Sequence, residues 1–453
     1  MNSEAIKSKL DAMLSAGKKS EMRGALSMLN EVDIAEYMST LEKEKMLMVY
    51  RILPKSISSD VFTYMDDEQR MKLIESIGDA EAADLISDMF IDDAVDFLEE
   101  LPAGLVKRVL AGVSDEQRHI INRFLSYPDN SAGSIMTIEY CEVHTGTTVS
   151  KAMQEIKRTS VDKETIYTIY VLDQSRILLG TIPLRKLIIS DENVLVDELM
   201  NTSFISAGTL DDQEYVSELV RKYDLMSVPI VDKEGRMVGI VTADDIMDVL
   251  QDEATEDIEK MGALLPSEDE YMKTGVFQLA KNRLPWLMFM MVSSILTGTI
   301  IEHFEGALSS MGDAVSIALT ACIPMLMGTG GNCGSQSSTL AIRGLALGEI
   351  SPKDAFNVLW KEFRVALMVS VVLSVMTLLI QLFIFGRTLL VASTIASSMI
   401  CTVILSKSIG CTLPLLAKKL GFDPALMAAP LITTIVDVCS LLILFSVSSL
   451  VLI

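Results

Sequence analysis

The chain has 453 residues, with 38 Lys+Arg against 61 Asp+Glu, six cysteines and three histidines. Residues 1–270 hold 27 basic and 53 acidic side chains, a net of −26, and residues 271–453 hold 11 and 8, a net of +3. So acidic a front repels nucleic-acid phosphates and argues against DNA or RNA partners. Cysteines without a CxxC pair argue against a disulfide framework, and three dispersed histidines argue against a zinc site.

Residues 1–130 open on the polar stretch "MNSEAIKSKLDAML", which has no secretory pattern, so this acidic region is expected in the cytoplasm. From Asp67 to Gln117, apolar pairs alternate with acids at helical spacing in short, similar segments. This predicts a small α-helical solenoid.

Residues 131–252 contain an internal repeat. "TIYVLDQSRILLGTIPLRKLI" from Thr168 aligns with "SVPIVDKEGRMVGIVTADDIM" from Ser227, with Asp173 matching Asp232 and Gly180 matching Gly239. Each copy reads strand, turn, strand, helix. The repeat resembles a pair of α/β CBS modules, which implies a candidate ATP or other adenine-nucleotide site. The family's Gly-x-x-Thr/Ser-x-x-Asp run is present here as Gly239, Thr242 and Asp245, whereas the first copy has Pro183 and Lys186 at the last two places. Asp244 to Lys273 then reads as one acidic helix joining this region to the apolar half, with 253–273 as the connecting segment. Asp245, Asp248, Asp252, Glu253, Glu256, Asp257 and Glu259 crowd the segment, and like charges four apart weaken a helix by a few tenths of a kcal/mol per pair, so cations would steady it. A plain solvated linker is the alternative.

Residues 274–453 offer five stretches long and apolar enough to cross a bilayer, at about 284–301, 314–340, 365–386, 388–416 and 425–452. Lys273, Lys281 and Arg283 precede the first span, and Arg343, Lys353, Lys361 and Arg364 lie between the second and third. Lys418 and Lys419 follow the fourth, whereas the alternate loops hold only Arg387. The positive-inside rule then places the N-terminus in the cytoplasm and the C-terminus outside, in a multi-pass protein of the cell membrane.

Two features interrupt the apolar half. "GTGGNCGSQ", Gly328 to Gln336, puts four glycines, two amides and several hydroxyls into the second span just after Pro324. Irregular backbone at that depth is tolerated only when buried in protein or lining a watery cavity. The segment is therefore expected to line a path, with close helix packing through small residues as the alternative. Pro324 could break the helix or merely kink it. In the fifth span, Asp437 lies in an apolar run, with Thr433 and Thr434 four and three residues before it on one helical face. An intramembrane carboxylate is a functional candidate by default. Its alternative is a structural ion pair, with Lys407 as partner unless that side chain snorkels to the cytoplasmic interface. The candidate pore-lining set is Gly328, Gly331, Asn332, Thr433, Thr434 and Asp437. Oxygen-only ligands suit a hard cation. A sparse carboxylate site suits hydrated Mg²⁺, but this chemistry does not separate it from Ca²⁺, Mn²⁺ or Na⁺.

Four separated motifs, in order, carry a stronger likeness. "SAGSIMTIEY", "ATEDIEKMGA", "PMLMGTGGNCGSQSSTLAIRGLALGEI" and "DPALMAAPLITTIVD" resemble the MgtE-type magnesium transporters over nearly the whole chain. The resemblance implies a Mg²⁺-selective transporter or channel rather than an enzyme, acting as a homodimer with Asp437 of each subunit at a hydrated-ion site. It also implies closure by cytoplasmic Mg²⁺ at sensor acids matching Asp92, Asp96, Asp212, Glu214, Asp224, Asp245, Asp248, Glu253, Glu256 and Asp257. Three other readings stand beside it. One is a cation-coupled carrier, whose broken helices would suit the glycine segment. Another is a membrane-tethered Mg²⁺ or nucleotide sensor without transport. The third is an intramembrane aspartyl protease, which needs two facing carboxylates.

Overall fold

The computed structural model describes residues 3–267, 271–272, 274–310, 312–427 and 429–452. Lys273, used above for orientation, lies outside the described residues. The chain divides into two compact units, Met1–Leu250 and Gln251–Ile453.

In the first unit, helices Glu31–Ser39, Lys55–Thr63, Asp79–Ser87 and Ala103–Gly112 start 24 residues apart. So do Lys43–Tyr50, Asp67–Ile74, Ile91–Glu100 and Asp115–Phe124. In the first row each helix packs on the next, so two helices form the repeating unit of a solenoid. Polar caps start several of them. Asn30, Asp66 and Ser114 accept from the N–H groups of Val32, Gln69 and Gln117. The repeat extends to side chains: Gln69 donates to the Ser39 carbonyl at 3.1 Å and Gln117 to the Ser87 carbonyl at 3.2 Å.

The internal repeat folds as two three-stranded sheets. β1 (Tyr140–His144) lies parallel to β2 (Thr165–Leu172), which pairs antiparallel with β3 (Leu178–Pro183). β4 (Ala207–Gly208), β5 (Ser227–Val231) and β6 (Met237–Thr242) repeat the order and sense. The matched aspartates do the same job. Asp173 accepts from the N–H groups of Ser175 and Ile177, and Asp232 from those of Glu234 and Arg236, which closes each hairpin turn. The matched glycines also share a cause. A methyl group at Gly180 would lie 2.9 Å from Met200 Sδ, and one at Gly239 would lie 2.6 Å from the Thr137 carbonyl.

The expected joining helix differs in extent. It begins where expected, at Ala243, but ends at Met261 instead of running on to 273. It stops where Ala263 adopts φ 55°, a left-handed turn closed by Leu264 N–H to the Glu259 carbonyl.

Five helices of the second unit are long and apolar enough to cross a membrane: Val276–Ser310, Asp313–Ala346, Ala355–Leu379, Leu389–Leu420 and Ala429–Leu452. The second packs on the fourth and fifth, the third on the fourth, and the first on the fifth. One local expectation fails, and one open choice, break or kink at Pro324, goes against the break. The segment "GTGGNCGSQ" is helical throughout, and Pro324 sits inside the same unbroken helix. The glycines serve approach rather than irregularity: a methyl group at Gly410 would lie 2.2 Å from the Gly334 carbonyl oxygen, and one at Gly334 2.7 Å from Ile432. The third helix also begins ten residues earlier than expected, which brings Glu362 and Arg364 onto it.

Candidate metal sites

The apolar surroundings of the fifth span leave Asp437 half-buried, and no hydrogen bond or ion pair reaches it among the described residues. Lys407 is not its partner and does not snorkel. It is only 5% exposed, 3.7 Å from Glu362 and 3.2 Å from the Ser337 hydroxyl, which itself donates to Glu362 at 2.7 Å. This triad joins the second, third and fourth spans and leaves Asp437 without a basic partner among the described residues. No second carboxylate bonds to it, so the acid pair of a protease is missing from the described residues.

Thr433 and Thr434 both donate their hydroxyl protons to the Pro430 carbonyl, at 2.9 and 3.0 Å. Their lone pairs therefore remain for a cation or its water shell. Gly331 packs against Thr433, where an added methyl would come within 2.9 Å of Cγ2. Gly328 has open space around it, and Asn332 and Gln336 follow it at four-residue intervals as exposed positions. A polar, small-residue stripe on the second span thus runs beside the Thr433 turn that precedes Asp437.

A second acid site lies in the first unit. Helix Ile91–Glu100 presents Asp92, Asp93 and Asp96 toward Asp245 and Glu164. Asp92 is 9% exposed, and its carboxylate accepts the Asp93 N–H at 3.0 Å. Burial, then the nearby Asp245 and Asp93, push its carboxyl well above the usual range. Burial and the neighbouring acids raise Asp93 to about 6 and both Asp96 and Glu164 to about 7. Burial also raises Asp245, against the hydrogen bonds that Thr242 gives it. The Gly239–Thr242–Asp245 run thus faces carboxylates. Asp93 and Glu164 are additions that the sequence did not disclose, since Glu164 lies far along the chain from helix Ile91–Glu100.

The other expected sensor acids disperse. Asp212 caps helix Gln213–Tyr223 through the Glu214 N–H at 2.8 Å, and Asp224 ends that helix in left-handed backbone with φ 51°. The two stand about 16 Å apart along an 11-residue helix. Glu214 follows the cap, and Asp248 is exposed on the helix that carries Asp245. In the second unit Glu253, Glu256 and Asp257 share the end of helix Ala243–Met261 with Lys260. Lys260 Nζ lies 2.6 Å from Glu256 and 2.8 Å from Asp423, a further acid the sequence did not single out. Burial and the approach of Asp423 raise the Asp257 carboxyl. Among the described residues, no three His, Cys, Asp or Glu side chains converge tightly enough to hold a bare ion.

Family models now place the parts. Residues 29–130 match the MgtE intracellular N domain, 196–252 the CBS domain, and 323–447 the divalent cation transporter MgtE. The chain is 34% identical to the magnesium transporter MgtE of Thermus thermophilus over 99% of each chain. The chain belongs to the MgtE family of magnesium transporters. The Bacillus subtilis MgtE is 31% identical over 96% of this chain and 95% of its own. Two solved structures of magnesium transporters match the part of the chain before the spans. One is the soluble part of a magnesium transporter, at TM-score 0.54 and 33% identity over 56% of this chain and all of that one. The other is the cytosolic domain of the Mg²⁺ channel MgtE in complex with ATP, at 0.51 and 32% over 54% and 99%. MgtE members are membrane transporters rather than enzymes, so the chain is a multi-pass membrane protein.

Proposed function

We propose that this MgtE member conducts Mg²⁺ through a homodimer and closes when cytoplasmic Mg²⁺ binds its acidic joints. The observation that carries the conducting role is Asp437, a half-buried carboxylate within a span, with no hydrogen-bond or ion-pair partner among the described residues. A carboxylate left this way in an apolar bundle costs a few kcal/mol unless a cation visits it. Two copies would place two such acids, with the Thr433 and Thr434 oxygens, around one hydrated ion. The carrier reading loses support, because the second span is a continuous helix through Pro324 and the glycine segment.

Gating rests on the raised carboxyls of Asp92, Asp93, Asp96, Glu164 and Asp245. Their mutual repulsion favours separation, and a divalent cation with its waters offsets it. Mg²⁺ would then bind the closed arrangement better than the open one, which is negative feedback by differential affinity. The domains run 1–130, 131–252, 253–273 and 274–453, with the N-terminus cytoplasmic and the C-terminus outside. ATP comes to the chain through its relative. At Thr242 and Asp245 it would meet the acid cluster, so it would enter there as its Mg²⁺ complex. The test is Mg²⁺ flux into liposomes at varied cytoplasmic Mg²⁺. Flux that falls as cytoplasmic Mg²⁺ rises supports pore and gate together. Absence of flux from folded protein leaves only a tethered sensor.

A further inference from the structure

We infer that the cavity between helix Asp115–Phe124 and the two hairpin turns of the CBS pair binds a small anion carrying two or more adjacent charges, of the phosphorylated-metabolite class. The cavity measures about 600 Å³, a volume suited to a small-molecule ligand. Residues 1–250 carry 45 acidic and 26 basic side chains, so any cation there has acids at hand to pair with. Yet Arg123, Lys163 and Arg236 all line this cavity, and none has an ion-pair partner among the described residues. Three cations gathered without partners repel one another, and a multiply charged anion removes that repulsion.

The acids of the cavity are mostly committed. Glu142 takes the guanidinium of Arg176 in a fork, at 3.3 and 3.1 Å. Asp232 gives one oxygen to its own turn, through the N–H groups of Glu234 and Arg236. Those neutral donors leave the Asp232 charge in place, so Asp232 and Glu155, exposed on helix Val149–Thr159, stand against the three cations and the lining keeps a net positive charge.

The floor is rigid, as a preformed site requires. The two turns are joined by Met237 N–H to the Arg176 carbonyl at 2.9 Å and Leu178 N–H to the Gly235 carbonyl at 3.2 Å. Arg176 holds left-handed backbone with φ 65°, and its Nη2 donates to the Tyr140 hydroxyl at 2.6 Å. Met237, Ile138 and Val238 supply an apolar wall. This cavity differs from the Gly239–Thr242–Asp245 run, whose surroundings are acidic. A ligand here would touch the solenoid through Arg123, the first module through Lys163 and the second through Arg236, and so would hold three parts of the chain together.

The experiment titrates the full-length protein in detergent with inorganic pyrophosphate, in Mg²⁺-free buffer with chelator, by calorimetry. Wild type is expected to bind with one site per chain. The exposed pair Arg123→Gln, Arg236→Gln should bind at least tenfold more weakly, at an unchanged melting temperature. Asp92→Asn, in the acid cluster, should leave binding as it was. Displacement by ATP but not by tripolyphosphate assigns the apolar wall to a base, and displacement by both assigns the site to the phosphate chain. No binding to wild type at millimolar pyrophosphate, or equal binding to the double variant, overturns the inference.

Discussion

Lys260 Nζ lies 2.8 Å from Asp423 Oδ2, which ties the end of helix Ala243–Met261 to the turn leading into the span that carries Asp437. The same ammonium lies 2.6 Å from Glu256; burial lowers its pKa, but the hydrogen bonds it donates to Asp423 and Glu256, with their charges, raise it overall. Lys260 acts as a tethered cation where the acids Asp257, Glu256 and Asp423 would otherwise repel. Lys260→Ala is expected to raise Mg²⁺ flux at zero cytoplasmic Mg²⁺ about two- to fivefold, the effect of losing up to ~1 kcal/mol of ion pairing. Liposome flux at zero and high cytoplasmic Mg²⁺ reads it, and unchanged low-Mg²⁺ flux would count against a gating role for the Lys260–Asp423 ion pair.

Asp437→Asn should separate function from stability. Removing an unpaired carboxylate from an apolar bundle relieves a desolvation cost, so the melting temperature in detergent should hold or rise. Flux should fall at least tenfold. A variant that conducts normally would remove Asp437 from the ion path.

The glycines of the second and fourth spans should divide into two classes. Gly410→Ala drives a methyl into the Gly334 carbonyl and is expected to cost about 1–3 kcal/mol by overpacking. Gly328→Ala meets open space and should leave the melting temperature unchanged. Equal losses at both positions, by thermal unfolding in detergent, would contradict the packing described for the glycine stripe.

The Lys407–Glu362 pair predicts a compensating double variant. Lys407→Met alone leaves Glu362 as a buried charge and should destabilise by about 3–5 kcal/mol. Adding Glu362→Gln should restore most of that loss. A double variant no more stable than the single one would show that the pair is not coupled.

The acid cluster gives a pH dependence with a definite sign. Asp93, at about 6, and Asp96 and Glu164, at about 7, hold protons in the folded chain that the unfolded chain releases near its ordinary carboxylate pKa of about 4. Their favourable contribution is therefore complete below about pH 4 and is lost as pH rises through 6 to 7. In Mg²⁺-free buffer the cytoplasmic transition should drop by about 5 °C between pH 5.5 and 8. Mg²⁺ should restore it at pH 8. Asp92→Asn should raise the Mg²⁺-free transition by about 3 °C and shrink the Mg²⁺ effect.

What the sequence determined was one-dimensional. Apolar length marked the five spans, helical spacing marked the solenoid, and the matched Asp173/Asp232 and Gly180/Gly239 marked the CBS pair. Asp437 was legible because one carboxylate in an apolar run has no local explanation. Tertiary structure decided everything that depends on chain segments meeting. It kept the glycine-rich segment helical, because in an apolar bundle a continuous helix satisfies its own backbone while Gly334 and Gly410 let two helices touch. It turned Lys407 to Glu362 rather than to water or Asp437, and brought Glu164 to face Asp93 and Asp245 from far along the chain. It also sent Asp212 and Asp224 to opposite ends of one helix, as its caps. Spacing along a chain fixes which residues share a face. Which faces meet depends on packing across tens or hundreds of residues, and that packing sets the partner and the charge environment of each acid.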